Sequence, residues 1–139
     1  MAEKNGNKEK GEAPPQRTDV NELGEFGLID LLTKGIRLQN ASSVKGVGDD
    51  AAVIDNGDFL TVVSTDMLVE GIHFDLMYTP LKHLGYKSLI ANLSDVYAMN
   101  AIPRQVTVSV ALSNRFSVEA MEEIYAGIHK ACELYQVDL

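Results

Sequence analysis

Residues 45–74 read KGVGDDAAVIDNGDFLTVVSTDMLVEGIHF, and the placing of acid in this run decides how the chain is read. Asp49 and Asp50 stand side by side, and Asp66 follows a stretch rich in Val, Ile, Leu and Phe. Adjacent carboxylates repel, and burying one without a partner is costly. A cation belongs close by, and the neighbouring sequence offers only Lys45. AAVID and FLTVVSTD flank Asn56 and Gly57, the pair favoured in tight hairpin turns, and so predict two antiparallel strands.

Upstream, Phe26, Ile29, Leu32 and Ile36 recur at helical spacing and predict a helix over 25–37. Downstream, TPLKHLGYKSLIANLSDVYAMNA predicts a long helix, with Pro80 near the start where a first turn tolerates it. QVTVSVAL, residues 105–112, alternates β-branched and polar side chains and predicts another strand. SVEAMEEIYAGIHKACELYQ opens on an imperfect capping box: Ala120 fills the offset position from Ser117, and Glu119 lies one short. Met121, Ile124, Ile128 and Ala131 still mark a helix there. The order predicts an α+β fold, a small and mainly antiparallel sheet with helices on one face. Three strands leave apolar edges, so a second subunit or a second domain is expected over the open face.

Residues 1–21 are polar, rich in Lys, Glu, Gly and Pro, and cannot bury enough surface to offset their ordering entropy. They read as a disordered tail or an appended tag, leaving one domain over 22–139. The tail balances four basic against four acidic residues, so the net charge of −8 falls wholly in 22–139, where 8 basic residues face 16 acidic ones. Such a domain has no electrostatic footprint for a nucleic-acid backbone. Any phosphate it binds would be met through a metal ion. No apolar run approaches the roughly 20 residues of a membrane helix, and the N-terminus lacks the apolar core of a secretion signal. Cys132 is the single cysteine and cannot form an internal disulfide, so a cytoplasmic location is expected.

GVGDDAA matches a dinucleotide fingerprint in spacing only. That motif needs a strand before it and a helix after it, whereas NASSVK reads as loop and strands follow. No G-K-[ST] loop occurs, and DNGD lacks the spacing and terminal Glu of a calcium loop. The glycines suit sharp turns that present Asp49 and Asp50 from a loop; taken alone, the pair also suits a solvated turn. Ser64, Thr65 and Asp66 then place three oxygen donors in succession at a strand end, the donor type Mg²⁺ prefers. Asp66 alone would also serve to cap the next turn. Asn92 and Asp95, three apart, share one face of an otherwise largely apolar helix, so Asp95 must be paired, exposed or metal-bound. Lys87 lies about two turns back, too far to be its evident partner. His73, beyond the carboxylates, suits contact with an incoming substrate. Tyr97 and Tyr125 are expected in core packing, and Cys132 has no nearby His to activate it.

GEFGLI, GVGDDAAV, STDMLVEGIHF and NLSDVYAMNAIP, in this order, resemble the amino-terminal domain of the thiamine-monophosphate kinase family. That family is related to aminoimidazole-ribonucleotide and selenophosphate synthetases. The resemblance covers about 22–139 and implies transfer of the γ-phosphoryl group of ATP to thiamine monophosphate. It implies Mg²⁺ held by Asp50, Ser64, Thr65, Asp66 and Asp95, contact of His73 with thiamine monophosphate, and Asp49 and Tyr125 near ATP. It also implies a homodimer whose strands join into a shared barrel. No general base is expected, because the acceptor phosphate is already an anionic nucleophile. The sequence ends at ELYQVDL, ahead of the family's next Gly-Gly-Asp segment and carboxy-terminal domain, so the chain is expected to be inactive alone. Two alternatives stand beside this reading. One is a related ATP-dependent synthetase, although 22–60 holds no reactive Cys and only Lys34 and Lys45. The other is a non-catalytic dimerisation module.

Overall fold

The computed structural model describes residues 17–139. Its elements run α1 (Val20–Thr33), β1 (Ser43–Lys45), β2 (Ala52–Asp55), β3 (Leu60–Val63), α2 (Leu81–Ala98) and α3 (Val118–Tyr135). They fall into two units, residues up to 37 and residues 38–139. In the first unit, α1 starts and ends earlier than its apolar spacing implied. Gly24 breaks its helical geometry at φ 67°, and none of its residues is buried. Residues 1–16 of the expected tail lie outside the described residues, and residues 20 and 21 open α1.

In the second unit the sheet is three-stranded and antiparallel, in the order β1-β2-β3. The expected hairpin is present, with Ala52 opposite Val63 and Asp55 opposite Leu60. Its turn is longer than a two-residue one. The Asn56 amide donates to the Phe59 carbonyl at 3.0 Å, and the Gly57 amide to Asp55 Oδ1 at 2.7 Å. Gly57 takes a φ of 88°, which a side chain would resist.

The third strand is not the one the sequence pattern indicated. Residues 105–112 form no ladder; only the isolated Gln105–Asp138 bridge touches this stretch. Alternation states which face a segment could bury, but a strand exists only where a neighbour takes its backbone groups. Val108, Val110 and Leu112 accordingly stand exposed. The third strand is instead Ser43–Lys45, inside a stretch read as loop: three residues are too few to show a period, and β2 supplies the pairing.

Within this unit α2 and α3 pack on each other rather than over a sheet face. The core cluster joins Leu89 and Leu93 of α2 to Ala131 of α3 and to Val137, flanked by Val106, Cys132 and the Tyr86–Tyr135 hydroxyl pair. Two glycines set the crossing. A Cβ on Gly85 would lie 1.8 Å from the Ile124 carbonyl oxygen, and one on Gly127 would lie 2.0 Å from that of Lys82. The backbones therefore meet where any side chain would hold them apart. Ser117 caps α3 by accepting from the Ala120 amide at 3.2 Å. The Glu119 carboxyl is held below its ordinary value by its own backbone amide and by the Ser117 hydroxyl, so the cap rests on Ser117 rather than on a reciprocal box. Among the described residues no helix is long and apolar enough to cross a membrane.

Ala in place of Gly gains about 1 kcal/mol of helix propensity. Overpacking against backbone costs about 1–3 kcal/mol or more, so Gly85→Ala and Gly127→Ala should each be net destabilising. Urea unfolding followed by circular dichroism measures this; unchanged midpoints would show that the helices cross farther apart.

Candidate functional site

The acidic loop is the connection of the β1–β2 hairpin. Gly48 turns it at φ 115°, a backbone shape reserved for glycine, and the next two residues are the paired aspartates. Their juxtaposition is resolved by division of labour. Asp49 forms an ion pair with Lys45, four residues back at the end of β1, and accepts the Asp50 amide at 3.0 Å. The Lys45 ammonium, followed by that amide, holds the Asp49 carboxyl below its usual range. Asp50 is exposed and its carboxylate has no partner among the described residues. One aspartate is neutralised locally and the other stands exposed without a side-chain partner among the described residues.

The end of β3 meets α2 through two hydrogen bonds. Ser64 Oγ donates to Asp95 Oδ2 at 2.7 Å, and the Asp66 amide donates to Asn92 Oδ1 at 2.9 Å. Asn92 is itself oriented by donating to the Ser88 carbonyl at 2.9 Å. The shared face of Asn92 and Asp95 thus has a use that the sequence posed as an open question. Beside this junction lies a hollow of about 360 Å³, lined by Gly46, Val47, Asp49, Asp50, Val63, Ser64 and Thr65 among others. Asp49, Asp50, Ser64 and Thr65 come together there, and Ser64 brings Asp95 alongside. Among the described residues, no three His, Cys, Asp or Glu side chains stand close enough together to hold a metal ion. The Asp95 carboxylate is held by Ser64, and Asp66 is held to Asn92 through its backbone amide, but the expected cage of Asp50, Asp66 and Asp95 carboxylates is not gathered among the described residues.

His73 sits in a tight loop after Asp66. Its Nδ1 accepts the Val69 amide at 2.9 Å, and its own amide donates to the Val69 carbonyl at 2.9 Å. Lys87 of α2 donates to the His73 carbonyl at 2.8 Å. Sequence reasoning weighed Lys87 only against Asp95; no pattern in the chain signals a bond to a loop carbonyl. Tyr125 lies on α3 with its ring 6.2 Å from that of His129, and no α3 residue lines the acidic hollow. Tyr97 is exposed rather than packed in the core. Cys132 lines a separate hollow at the end of α3. Burial, then the nearby Asp138 charge, pushes its thiol above the ordinary range, which disfavours a nucleophilic role.

An antiparallel sheet is thus joined to a helix pair with oxygen donors at the junction. The family described as AIR synthase related protein, N-terminal domain, matches residues 48–139, and the chain belongs to it. Thiamine-monophosphate kinase of Aquifex aeolicus (strain VF5) is 36% identical over 120 residues, covering 86% of this chain and 37% of that protein. The Bacillus subtilis (strain 168) enzyme is 36% identical over 119 residues, covering 84% and 36%. The solved structure of AaThiL complexed with AMPPCP and TMP matches with a TM-score of 0.76 and 34% identity, covering 88% of this chain and 37% of that one. The chain spans just over a third of the length of these relatives.

Ser64 and Asp95 should couple without any metal. In EDTA, a double-mutant cycle with Ser64→Ala and Asp95→Asn should give about 1–2 kcal/mol of interaction in urea unfolding; strict additivity would break the link. For Cys132, iodoacetamide alkylation should reach half its limiting rate at a pH above the roughly 8.5 of a free thiol. A midpoint at or below that value would contradict the burial.

Proposed function

We propose that the chain is the amino-terminal domain of a thiamine-monophosphate kinase, and that its task is to gather divalent cations and phosphates. The observation that supports this reading is the junction of β3 with α2, where Ser64 donates to Asp95 and the Asp66 amide to Asn92, beside the hollow lined by Asp50, Ser64 and Thr65. Every donor in that set is a hard oxygen, which suits Mg²⁺. Mg²⁺ is commonly held by one or two carboxylates together with substrate phosphates and water, so a closed cage of protein carboxylates is not required. Asp50, Ser64, Thr65, Asp66 and Asp95 would hold the ions. When bound, Mg²⁺ supplies the positive charge that offsets repulsion between two anionic substrates.

In the reaction, an oxygen of the thiamine monophosphate phosphate attacks the γ-phosphorus of ATP. The bond from that phosphorus to the β-phosphate oxygen breaks, giving thiamine diphosphate and ADP. The residues contribute position rather than covalent chemistry. His73 is read as the contact to thiamine monophosphate. Asp49 and Tyr125 are read as contacts to ATP, Tyr125 from outside the hollow. The Lys45–Asp49 pair offsets the charge of Asp49, so that this carboxylate repels incoming phosphates less than a bare one would. The homodimer is part of the same reading: the stretch 107–112, which joins no ladder among the described residues, and its exposed Val108, Val110 and Leu112 support strand pairing with a second copy. A cytoplasmic location belongs to it as well.

A full-length enzyme carrying this sequence, given Mg²⁺, ATP and thiamine monophosphate, should form thiamine diphosphate, while the chain alone forms none. Asp50→Asn, Asp66→Asn and Asp95→Asn should each lower kcat/KM about 100-fold or more, as loss of several kcal/mol of charge stabilisation requires. Product formation by chromatography decides it. No thiamine diphosphate from the full-length enzyme, with another phosphate acceptor consumed instead, would move the protein to a related synthetase.

A further inference from the structure

Three side chains of α2 meet the segment after β3 in antiparallel order. As that segment runs from Ser64 through Asp66 to His73, its partners run backwards along the helix: Asp95, Asn92, Lys87. The first two fix the oxygen donors. The third is a full positive charge donated to a neutral carbonyl, and Lys87 makes no ion pair among the described residues. The carbonyl belongs to His73, whose imidazole is locked from the other side. An amide donating to Nδ1 requires a lone pair there, so the proton of the neutral ring sits on Nε2. The loop is also closed on itself, by the His73 amide on the Val69 carbonyl and the Gly71 amide on the Phe74 carbonyl at 2.8 Å, with Gly71 at φ 77°.

We propose that Lys87 is a positioning residue that pins the His73 loop to α2, so that His73 presents its Nε2–H as a fixed donor to an acceptor oxygen of the phosphate-bearing substrate. The donor role rests on the reading of His73 as a substrate contact; the tautomer and the anchor do not. Pinning matters because a loop held at one carbonyl offers the donor without ordering it at each binding event.

Two measurements separate these parts. In the chain itself, ¹⁵N-histidine NMR should show His73 in the Nε2–H tautomer, its signals assigned by their loss in His73→Gln. Lys87→Met should mix the tautomers and speed exchange of the Val69 amide, and Lys87→Arg should restore both. A mixed or Nδ1–H tautomer in the unsubstituted chain, or a Lys87→Met chain with His73 still locked, overturns the anchor. In the full-length enzyme, Lys87→Met should raise KM for thiamine monophosphate about tenfold and leave KM for ATP unchanged, with Lys87→Arg near normal. His73→Gln keeps an amide N–H near the Nε2 position and should stay within about threefold, whereas His73→Asn should lose about tenfold. Equal losses in both histidine variants, or both KM values rising together in Lys87→Met, would overturn the donor role. An enzyme that makes no thiamine diphosphate at all would sink the kinase reading while leaving the NMR result standing.

Discussion

Helix α2 carries the molecule, and it does so because Gly85 and Gly127 let it lie against α3 with backbone touching backbone. That close approach buries Leu84, Leu89, Leu93, Ile128 and Ala131 in a core that no strand enters. Once α2 is fixed, its polar face becomes a rail for the chain leaving β3. Two hydrogen bonds, from Ser64 to Asp95 and from the Asp66 amide to Asn92, connect sheet to helix. The sheet itself buries only the neighbouring Ala51, so it depends on this junction rather than on a core of its own. Stability and site geometry thus rest on the same helix.

The acidic content of the hollow follows from that arrangement. A carboxylate left half-buried needs a partner, and Asp95 has one in the Ser64 hydroxyl. Asp49 has one in Lys45, and because its folded pKa is depressed, the pairing stabilises the loop above the carboxylate range and is lost as pH falls through it. Asp50 has none, and exposure is what makes that tolerable. A hollow with one neutralised acid, one bare acid and two hydroxyls has the hard-oxygen chemistry that suits cations arriving with their own water.

The exposed apolar side chains are distributed unevenly. Val108, Val110 and Leu112 lie on a run that joins no ladder among the described residues. A segment with strand-like side chains and no strand partner is a surface with an unmet need for pairing. The homodimer proposed above would meet it, and the strand pattern seen in 105–112 would then describe the assembly rather than the single chain.

The sequence alone determined the hairpin, through Asn56 and Gly57 between two β-branched runs, α2 through a long helical run with Pro80 near its start, and α3 through its apolar spacing. It also singled out candidate site residues, because Asp, Ser, Thr and His in an apolar stretch are costly unless partnered. These signals are local, so a single chain displays them. Which residues meet was decided only by tertiary structure. Pairing made a strand of Ser43–Lys45 and left 105–112 without a ladder, since a ladder is a property of two segments. The glycine crossing, the bond of Ser64 to Asp95 and that of Lys87 to His73 join positions far apart in the chain, and no periodicity encodes a contact between two separate periods.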